Sequence, residues 1–265
     1  MSQYETETAV VAEGDGHYRA HVGSNWSIGS NPNGGYLVSI AMRALMAQHP
    51  RHPDPLTVTA HYLRPGVPDT DCTIETRIVR TGRQVTSGRA TLIQDGKERI
   101  EVLAGFGDLT MTSEIDSTLS IPAPEIPDPE QCPQRSADEQ GVDLPLLNRL
   151  DIRLHPEEAR AGTAGRARVS GWIRFLDDTP PDALAAVLFT DAFPPSMFGL
   201  LGMIGWVPTL ELTVHVRRRP APGWMKGQLV THDLADGRMV EDGCLWDSDG
   251  NLVAQSRQLG LLLKQ

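Results

Sequence analysis

Asp191 is a carboxylate that follows an apolar stretch, and such a group can act as a general base if the fold places it on a cavity. Residues 181–191 predict a helix, because Thr179 can cap its N-terminus and two prolines suit its first turn. Since residues 183–189 are apolar on every side, this helix is expected to lie in the core. A carboxylate buried without partners is costly, so the fold must supply Asp191 with hydrogen-bond donors or with access to water.

Asp191 also has a structural interpretation. Phe193-Pro194-Pro195 must break or restart the helix, and Asp191 could cap the segment 193–201 that follows. A cap needs only an acceptor oxygen, whereas a base needs a substrate beside it. The stretch by itself leaves both interpretations open.

Composition limits the classes of function. The chain of 265 residues is 40% hydrophobic and 22% charged, which is typical of a globular protein with one large or two ordinary domains. A formal net charge of −10 argues against a nucleic-acid-binding surface and against a polybasic membrane anchor. The three cysteines have no metal-ligand spacing, which predicts a reduced, cytoplasmic protein without a metal or another cofactor. The N-terminus, residues 1–7, is acidic and does not resemble a secretory signal, and the longest apolar run, 197–207, is too short to span a bilayer.

The first half of the chain predicts one helix and an antiparallel meander. Residues 4–28 suit an opening hairpin, and residues 36–48 predict a helix with a wide buried face that ends at His49-Pro50. Alternating residues then predict four strands, the last two joined by a turn at Asp95-Gly96. These strands are 56–65, 73–80, 87–94 and 98–105.

The second half predicts the same order after a change of composition. Residues 109–143, between an N-terminal domain at 1–108 and a C-terminal domain at 144–265, are rich in Pro and acidic residues. We expect this linker to run over the surface and to contribute nothing to a site. The strands predicted beyond it are 150–154, 166–175, 209–218, 227–232, 240–247 and 252–263, with the apolar helix after the second.

The two halves share residues at a constant spacing. Gly82, Gly88, Gly105 and Pro65 have counterparts 155 positions later, and His61 has one 154 positions later at His215. Matched turn residues at one offset predict a duplicated unit. Each unit would hold one long helix beside a twisted antiparallel sheet, which is an α+β arrangement.

Several of these segments resemble a known family. In the first half they are Gly34-Gly35-Tyr36-Leu37, 61–66 and 94–97, and in the second half they are Thr190-Asp191, 209–211 and 253–260. In this order and spacing they resemble the double hot dog acyl-CoA thioesterases of the thioesterase II type. The resemblance implies two tandem hot dog units, each a long central helix wrapped by a twisted antiparallel sheet, and an acyl-CoA substrate.

The resemblance also implies a site in which Asp191, Thr209 and Gln258 hold one water. A thioester carbonyl is electrophilic enough for a positioned water, so a carboxylate base and two hydrogen-bonding side chains suffice without a Ser or Cys nucleophile. Gly34 and Gly35 would open the first helix, where free backbone N–H groups could bind an oxyanion. The same glycines could instead serve only close packing.

Other interpretations remain open. Taken alone, Thr209 is typical of a strand start and Gln258 of the surface face of a strand. Where the family often has Asp-His after the Thr, this chain has Glu211-Leu212, which bears on substrate shape and water placement. A hydratase of the same superfamily would have a His five positions after the Asp, but Ser196 stands there, and no G-x-S-x-G motif suggests a serine hydrolase. The alternative from another class is an acyl-CoA or acyl-carrier binding protein that lacks turnover.

Coenzyme A is anionic, so arginines are its candidate partners. Unpaired sheet edges also suit a homodimer or a larger homo-oligomer. The arginines that the sequence offers are Arg64, Arg83, Arg217, Arg218 and Arg219.

Overall fold

The computed structural model describes residues 1–49, 51–112 and 118–263. Its five α-helices are α1 Gln3–Glu7, α2 Gly34–Gln48, α3 Ala137–Gln140, α4 Ala183–Thr190 and α5 Phe198–Leu201. Its strands are β1 Val11–Gly14, β2 His17–Val22, β3 Ser27–Ile28, β4 Asn31–Pro32, β5 Asp54–Tyr62, β6 Thr70–Thr81, β7 Thr86–Gln94, β8 Lys97–Gly107, β9 Leu150–Leu154, β10 Arg168–Phe175, β11 Thr209–Val216, β12 Met225–Ala235, β13 Arg238–Trp246 and β14 Leu252–Leu261. No helix in these ranges is long and apolar enough to cross a membrane.

Twelve of the strands form one continuous antiparallel sheet. The two halves of the chain meet where β5 pairs with β11, and at the middle of this seam Thr59 lies opposite Thr213 with their hydroxyls 2.9 Å apart. These threonines are 154 positions apart, as are His61 and His215, so the residues at the centre of the seam keep the spacing of the predicted repeat. The strand order across the sheet is β1-β2-β6-β7-β8-β5-β11-β14-β13-β12-β10-β9.

The helices α2 and α4 lie in the core and contact each other. Residues 183–190 are all buried, as the uniform apolar pattern predicts, and most of α2 is buried as well. The predicted helix at 36–48 is confirmed and begins two residues earlier, because the Asn33 side chain accepts a hydrogen bond from Tyr36 N and caps it. The predicted cap of the second helix is wrong: Asp182 caps α4 by accepting from Ala185 N at 2.6 Å, and Thr179 lies outside.

The predicted strands are confirmed, and their ends differ from the predicted ones by at most three residues. The turn at Asp95-Gly96 has positive φ at both positions, +51° and +67°, which Asp and Gly tolerate and which suits a two-residue hairpin. The opening of the chain differs in part, since the hairpin β1–β2 is preceded by the short helix α1.

The acidic segment 109–143 does more than cross the surface. As expected, part of it lies along the C-terminal half, where Trp172 Nε1 donates to Pro127 O at 2.8 Å. Farther along, however, Arg135 and Gln140 are buried, with relative exposures of 3% and 2%. The expectation that the whole segment runs over the surface is therefore wrong, because two of its polar side chains, Arg135 and Gln140, are buried.

Candidate active site

Asp191 ends α4 and faces the beginning of α2. Its Oδ2 accepts a hydrogen bond from Gly35 N at 2.7 Å and another from Asn33 Nδ2 at 3.0 Å. The Asn33 amide also donates to the Asp191 carbonyl oxygen at 2.7 Å, so three hydrogen bonds join the two segments. A carboxylate at this position is favourable because the N-terminus of a helix carries partial positive charge. All of these side-chain bonds go to Oδ2, and Oδ1 has no hydrogen-bond partner among the described residues.

The structure changes the capping interpretation of Asp191. The next helix, α5, begins only after Met197 and has no side-chain cap. Asp191 therefore does not cap the segment that follows it; it binds the first turn of α2, which is 156 positions away in the chain. The sequence offers no local signal for this contact, since it arises from the packing of the two helices.

Burial raises the pKa of Asp191 to about 7. Hydrogen bonds from Gly35 and Asn33 and the positive charge of Arg135 oppose this rise, whereas the nearby carboxylate of Glu241 adds to it. A carboxyl group with a pKa near neutrality is better suited to exchange protons at neutral pH than an ordinary aspartate. The site thus holds a group tuned toward acid–base chemistry.

Thr209 and Gln258 are joined in a hydrogen-bonded chain that ends in the core. Thr209 Oγ1 donates to Gln258 Oε1 at 3.0 Å, and Gln258 Nε2 donates to Glu241 Oε1. The other Glu241 oxygen accepts from Ser196 N. The surface interpretation of Gln258 is wrong, because its relative exposure is 9% and its amide points inward. Glu241 fixes the orientation of that amide, since its carboxylate can only accept.

One cavity of about 260 Å³ connects these groups. Asp191, Thr209, Gln258 and Gly34 all line it, so four of the five predicted residues face a common space. Asp191 makes no direct hydrogen bond to Thr209 or Gln258; they are related across the cavity. Gly35 does not line it, because its N–H is bound to Asp191.

The two glycines therefore have different roles. An added Cβ at Gly35 would lie 3.1 Å from Asp191 Cβ and 3.1 Å from the Leu188 carbonyl oxygen, so glycine here permits the close approach of α2 and α4. An oxyanion role for Gly35 N–H is not supported, since Asp191 already occupies it. The Gly34 N–H has no partner in the described part of the chain, and it remains able to bind a ligand.

Glu241, Asn33 and Arg135 were not singled out from the sequence. For Glu241 a signal existed: in β13 it alternates with Met239 and Leu245, which places a carboxylate on the buried face of the strand. For Asn33 the signal was its position before a predicted helix. Arg135 lies in a segment whose composition suggested exposure, and nothing local reveals its burial.

Arg135 supports the loop after Asp191. Its Nη1 donates to Ala192 O at 2.6 Å and its Nε to Gln140 Oε1 at 2.8 Å, and Gln140 in turn lines the cavity. Burial lowers the pKa of Arg135 to about 9, and the negative charge of Asp191 works against that change. The acidic segment thus supplies a buried cation whose charge acts on the Asp191 carboxylate.

Of the five candidate arginines, Arg64 alone lines the cavity. Arg219 pairs with Asp54 at 2.8 Å, at the beginning of β5. Arg64 lies beyond the other end of this strand, after Tyr62. Arg217 and Arg218 precede it directly in the chain, beyond the same end of the seam. In the ranges that the structure covers, no group of His, Cys, Asp and Glu could hold a metal ion.

The deep wall of the cavity is apolar. Phe193, Leu229 and Met239 line it and are almost completely buried, with relative exposures of 4%, 2% and 1%. Leu63 and Leu210 also line it and are partly exposed, which places them toward the solvent side. The cavity therefore combines a buried apolar end, a polar middle and an open mouth.

Comparison with known families identifies the chain. The acyl-CoA thioesterase N-terminal domain matches residues 22–107, and the acyl-CoA thioesterase C-terminal domain matches residues 129–262. The chain belongs to the acyl-CoA thioesterase family. The second match includes Asp191, Thr209, Gln258 and the buried part of the acidic segment, so Arg135 and Gln140 lie within the family's C-terminal domain.

Solved structures give the same fold. A candidate thioesterase II from Thermobifida fusca is 29% identical with a TM-score of 0.88, over 100% of this chain and 98% of that one. A hot dog fold protein from Alicyclobacillus acidocaldarius is 23% identical with a TM-score of 0.86, over 100% and 99% of the two chains. The acyl-CoA thioesterase II TesB2 from Mycobacterium marinum is 20% identical with a TM-score of 0.74, over 99% and 98%. The expected hot dog fold and the expected thioesterase II resemblance are both confirmed.

Proposed function

We propose that this protein hydrolyses acyl-CoA thioesters to a free acid and CoA. The observation that carries the proposal is the state of the Asp191 carboxylate: Oδ2 is held by two donors, whereas Oδ1 is free beside the cavity. With a pKa raised by burial to about 7, this oxygen can take a proton at neutral pH. Membership of the acyl-CoA thioesterase family supplies the substrate class.

The three polar side chains can orient one water completely. The water would donate one hydrogen bond to Asp191 Oδ1 and the other to Thr209 Oγ1, whose own hydrogen is used by Gln258. It would accept one from the second hydrogen of Gln258 Nε2, because the first is bound to Glu241. One lone pair of the water then remains, and it is directed at the carbonyl carbon of the thioester.

The reaction needs no covalent bond between the substrate and the protein. The water oxygen bonds to the carbonyl carbon as Asp191 takes its proton, and the carbonyl oxygen becomes an oxyanion that Gly34 N–H can stabilise. The result is a tetrahedral intermediate. When its C=O bond forms again, the C–S bond breaks, and Asp191 returns the proton to the departing sulfur. The products are the carboxylic acid and the free thiol.

The cavity suits a thioester with an acyl chain at the apolar end. An apolar cavity of roughly 150 Å³ accepts benzene, so about 260 Å³ with an open mouth has room for the thioester and a short chain. Phe193, Leu229 and Met239 would bound that chain. Arg64, at the other side, is the cation available to a CoA phosphate.

We further propose that the sheet consists of two tandem hot dog units, and that only one of the two equivalent sites has a complete set of active-site residues. The support is the strand order, which reads the same from both ends toward the β5–β11 seam, and the Thr59–Thr213 pair at its centre. At the repeat spacing of 155, Leu103 stands where Gln258 would be, and at the spacing of 154 that holds along β5 and β11, Pro55 stands where Thr209 would be. Since neither of these side chains can bind a water by a hydrogen bond, the counterpart set lacks the water-binding groups.

Release of free thiol from a panel of acyl-CoA esters tests the proposal. The panel should run from acetyl to long-chain esters, with the Asp191→Asn protein as a control for hydrolysis by contaminants. We expect the parent protein to release thiol and the Asp191→Asn protein to release little or none. Calorimetric binding of acyl-CoA without thiol release by the parent would instead establish the binding-protein alternative.

A further inference from the structure

Tyr62 is the last residue of β5, and its hydroxyl is buried at the cavity without a hydrogen-bond partner among the described residues. The ring packs against Gly34: a Cβ added to that glycine would lie 2.7 Å from Tyr62 Cε1 and 2.8 Å from the hydroxyl oxygen. Glycine at position 34 therefore makes room for the Tyr62 ring. The Tyr62 hydroxyl and the Gly34 N–H are thus two unpaired donors beside one cavity.

An unpaired buried hydroxyl is unfavourable, and two buried tyrosines of this core, Tyr4 and Tyr36, avoid it. Tyr4 donates to Ser39 Oγ at 2.8 Å, and Tyr36 donates to the Glu7 carbonyl oxygen at 2.9 Å. A buried polar group left without a partner costs about 1–3 kcal/mol. Phenylalanine at position 62 would avoid this cost, so a ligand acceptor that occupies the cavity is the natural partner of the hydroxyl.

The Tyr62 hydroxyl keeps its hydrogen at neutral pH and can therefore donate it to a ligand. Burial raises its pKa well above the usual value, and the carboxylates of Asp191 and Glu211 raise it further. Neither carboxylate accepts its hydrogen in the structure. The site therefore holds a neutral donor that the charge of the proposed base influences and that is not bound to it.

We propose that the Tyr62 hydroxyl donates a hydrogen bond to the thioester carbonyl oxygen and, with Gly34 N–H, forms the oxyanion hole. This inference rests on the proposed hydrolysis. It assigns the carbonyl oxygen to the Gly34 and Tyr62 side of the cavity and the water to the Asp191, Thr209 and Gln258 side. Tyr62 would contact the reacting atoms and would be a catalytic residue in that sense.

Tyr62→Phe tests the inference, with Tyr18→Phe as its matched control. Tyr18 is a largely buried tyrosine on β2 that does not line the cavity. Loss of one oxyanion donor lowers kcat roughly 10²-fold, so we expect that loss for Tyr62→Phe with a much smaller change in KM. Its thermal midpoint should equal or exceed that of the parent, because an unpaired hydroxyl is removed. Tyr18→Phe should keep the parent kcat, and a Tyr62→Phe protein that also keeps it would overturn the inference.

A second measurement separates this inference from the proposed function. An acyl-CoA labelled with ¹³C at the carbonyl is bound to Asp191→Asn protein, and the C=O stretch is recorded by infrared difference spectroscopy. On binding, the C=O frequency should shift below that of free acyl-CoA, and the shift should be smaller when Tyr62→Phe is added to the Asp191→Asn protein. This result would support the Tyr62 contact even if the parent releases no thiol and hydrolysis is refuted. The same C=O frequency with and without Tyr62→Phe would refute the Tyr62 contact, and the proposed hydrolysis would be unaffected by that result. Failure of any acyl-CoA to bind would overturn both.

Discussion

Asp191→Asn should make the protein less active and, at neutral pH, more stable. An Asn side-chain oxygen can accept the bonds from Gly35 N and Asn33 Nδ2, so the contact between α4 and α2 should survive. The base is lost, however, and general-base loss lowers turnover by a factor of about 10² to 10⁴. Substrate binding should be largely retained.

The gain in stability follows from the raised pKa. Burial moves the pKa of Asp191 from 3.8 to about 7, so between these values the native state holds a proton that the unfolded state has lost. The contribution of Asp191 to stability therefore falls as the pH rises through this window. A shift of about three units corresponds to at most about 4 kcal/mol, and solvent in the cavity reduces this to about 1–2 kcal/mol.

Urea unfolding of parent and variant at pH 5 and pH 8 measures the effect. The free energy of unfolding of Asp191→Asn should exceed that of the parent, and the difference should be larger at pH 8. In parallel, the parent kcat/KM should rise through a pKa near 7 as Asp191 ionises. A variant that keeps parental activity, or whose stability difference does not vary with pH, would refute the assignment of Asp191 as a buried, titrating base.

The remaining predictions concern the groups around Asp191. Thr209→Ala and Gln258→Ala should each lower kcat less than Asp191→Asn does. The double variant should lower kcat by less than the product of the two single effects, because both side chains orient the same water. A kcat loss equal to that product would contradict a shared water. Arg64→Ala should raise KM for acyl-CoA at low salt with little change in kcat, whereas a truncated acyl-pantetheine substrate without the nucleotide phosphates should be unaffected. Arg135→Met removes a positive charge that lowers the pKa of Asp191, so the rise of kcat/KM with pH should move to higher pH, and an unmoved profile would exclude this coupling.

The fold was predictable from the sequence to the extent that local patterns determine it. The apolar run 183–189 has no polar face and is buried throughout, and the Asp95-Gly96 pair forms the turn that its residues favour. The cap of the second helix was predicted wrongly because Thr179 and Asp182 are both good cap residues. The helix begins at Ala183, so the residue directly before it, Asp182, is the cap.

The sequence named residues that the structure brings to one cavity, but it did not reveal the contacts between them. Asp191, Thr209 and Gln258 reach one cavity although they lie on different elements. That Asp191 binds the first turn of α2 could not be read locally, because the contact depends on how two core helices pack. Arg135 escaped prediction since the acidic segment around it suggests exposure, whereas long-range contacts bury it.

Oxygen isotope transfer tests the central claim most directly. With enzyme in excess over acyl-CoA, a single turnover in H₂¹⁸O is quenched, and both the acid product and the peptide that contains Asp191 are analysed by mass spectrometry. If Asp191 activates water, the first acid released carries one ¹⁸O and the Asp191 peptide carries none. An unlabelled acid together with ¹⁸O in the Asp191 carboxylate would show that Asp191 attacks the thioester itself, and would contradict the account.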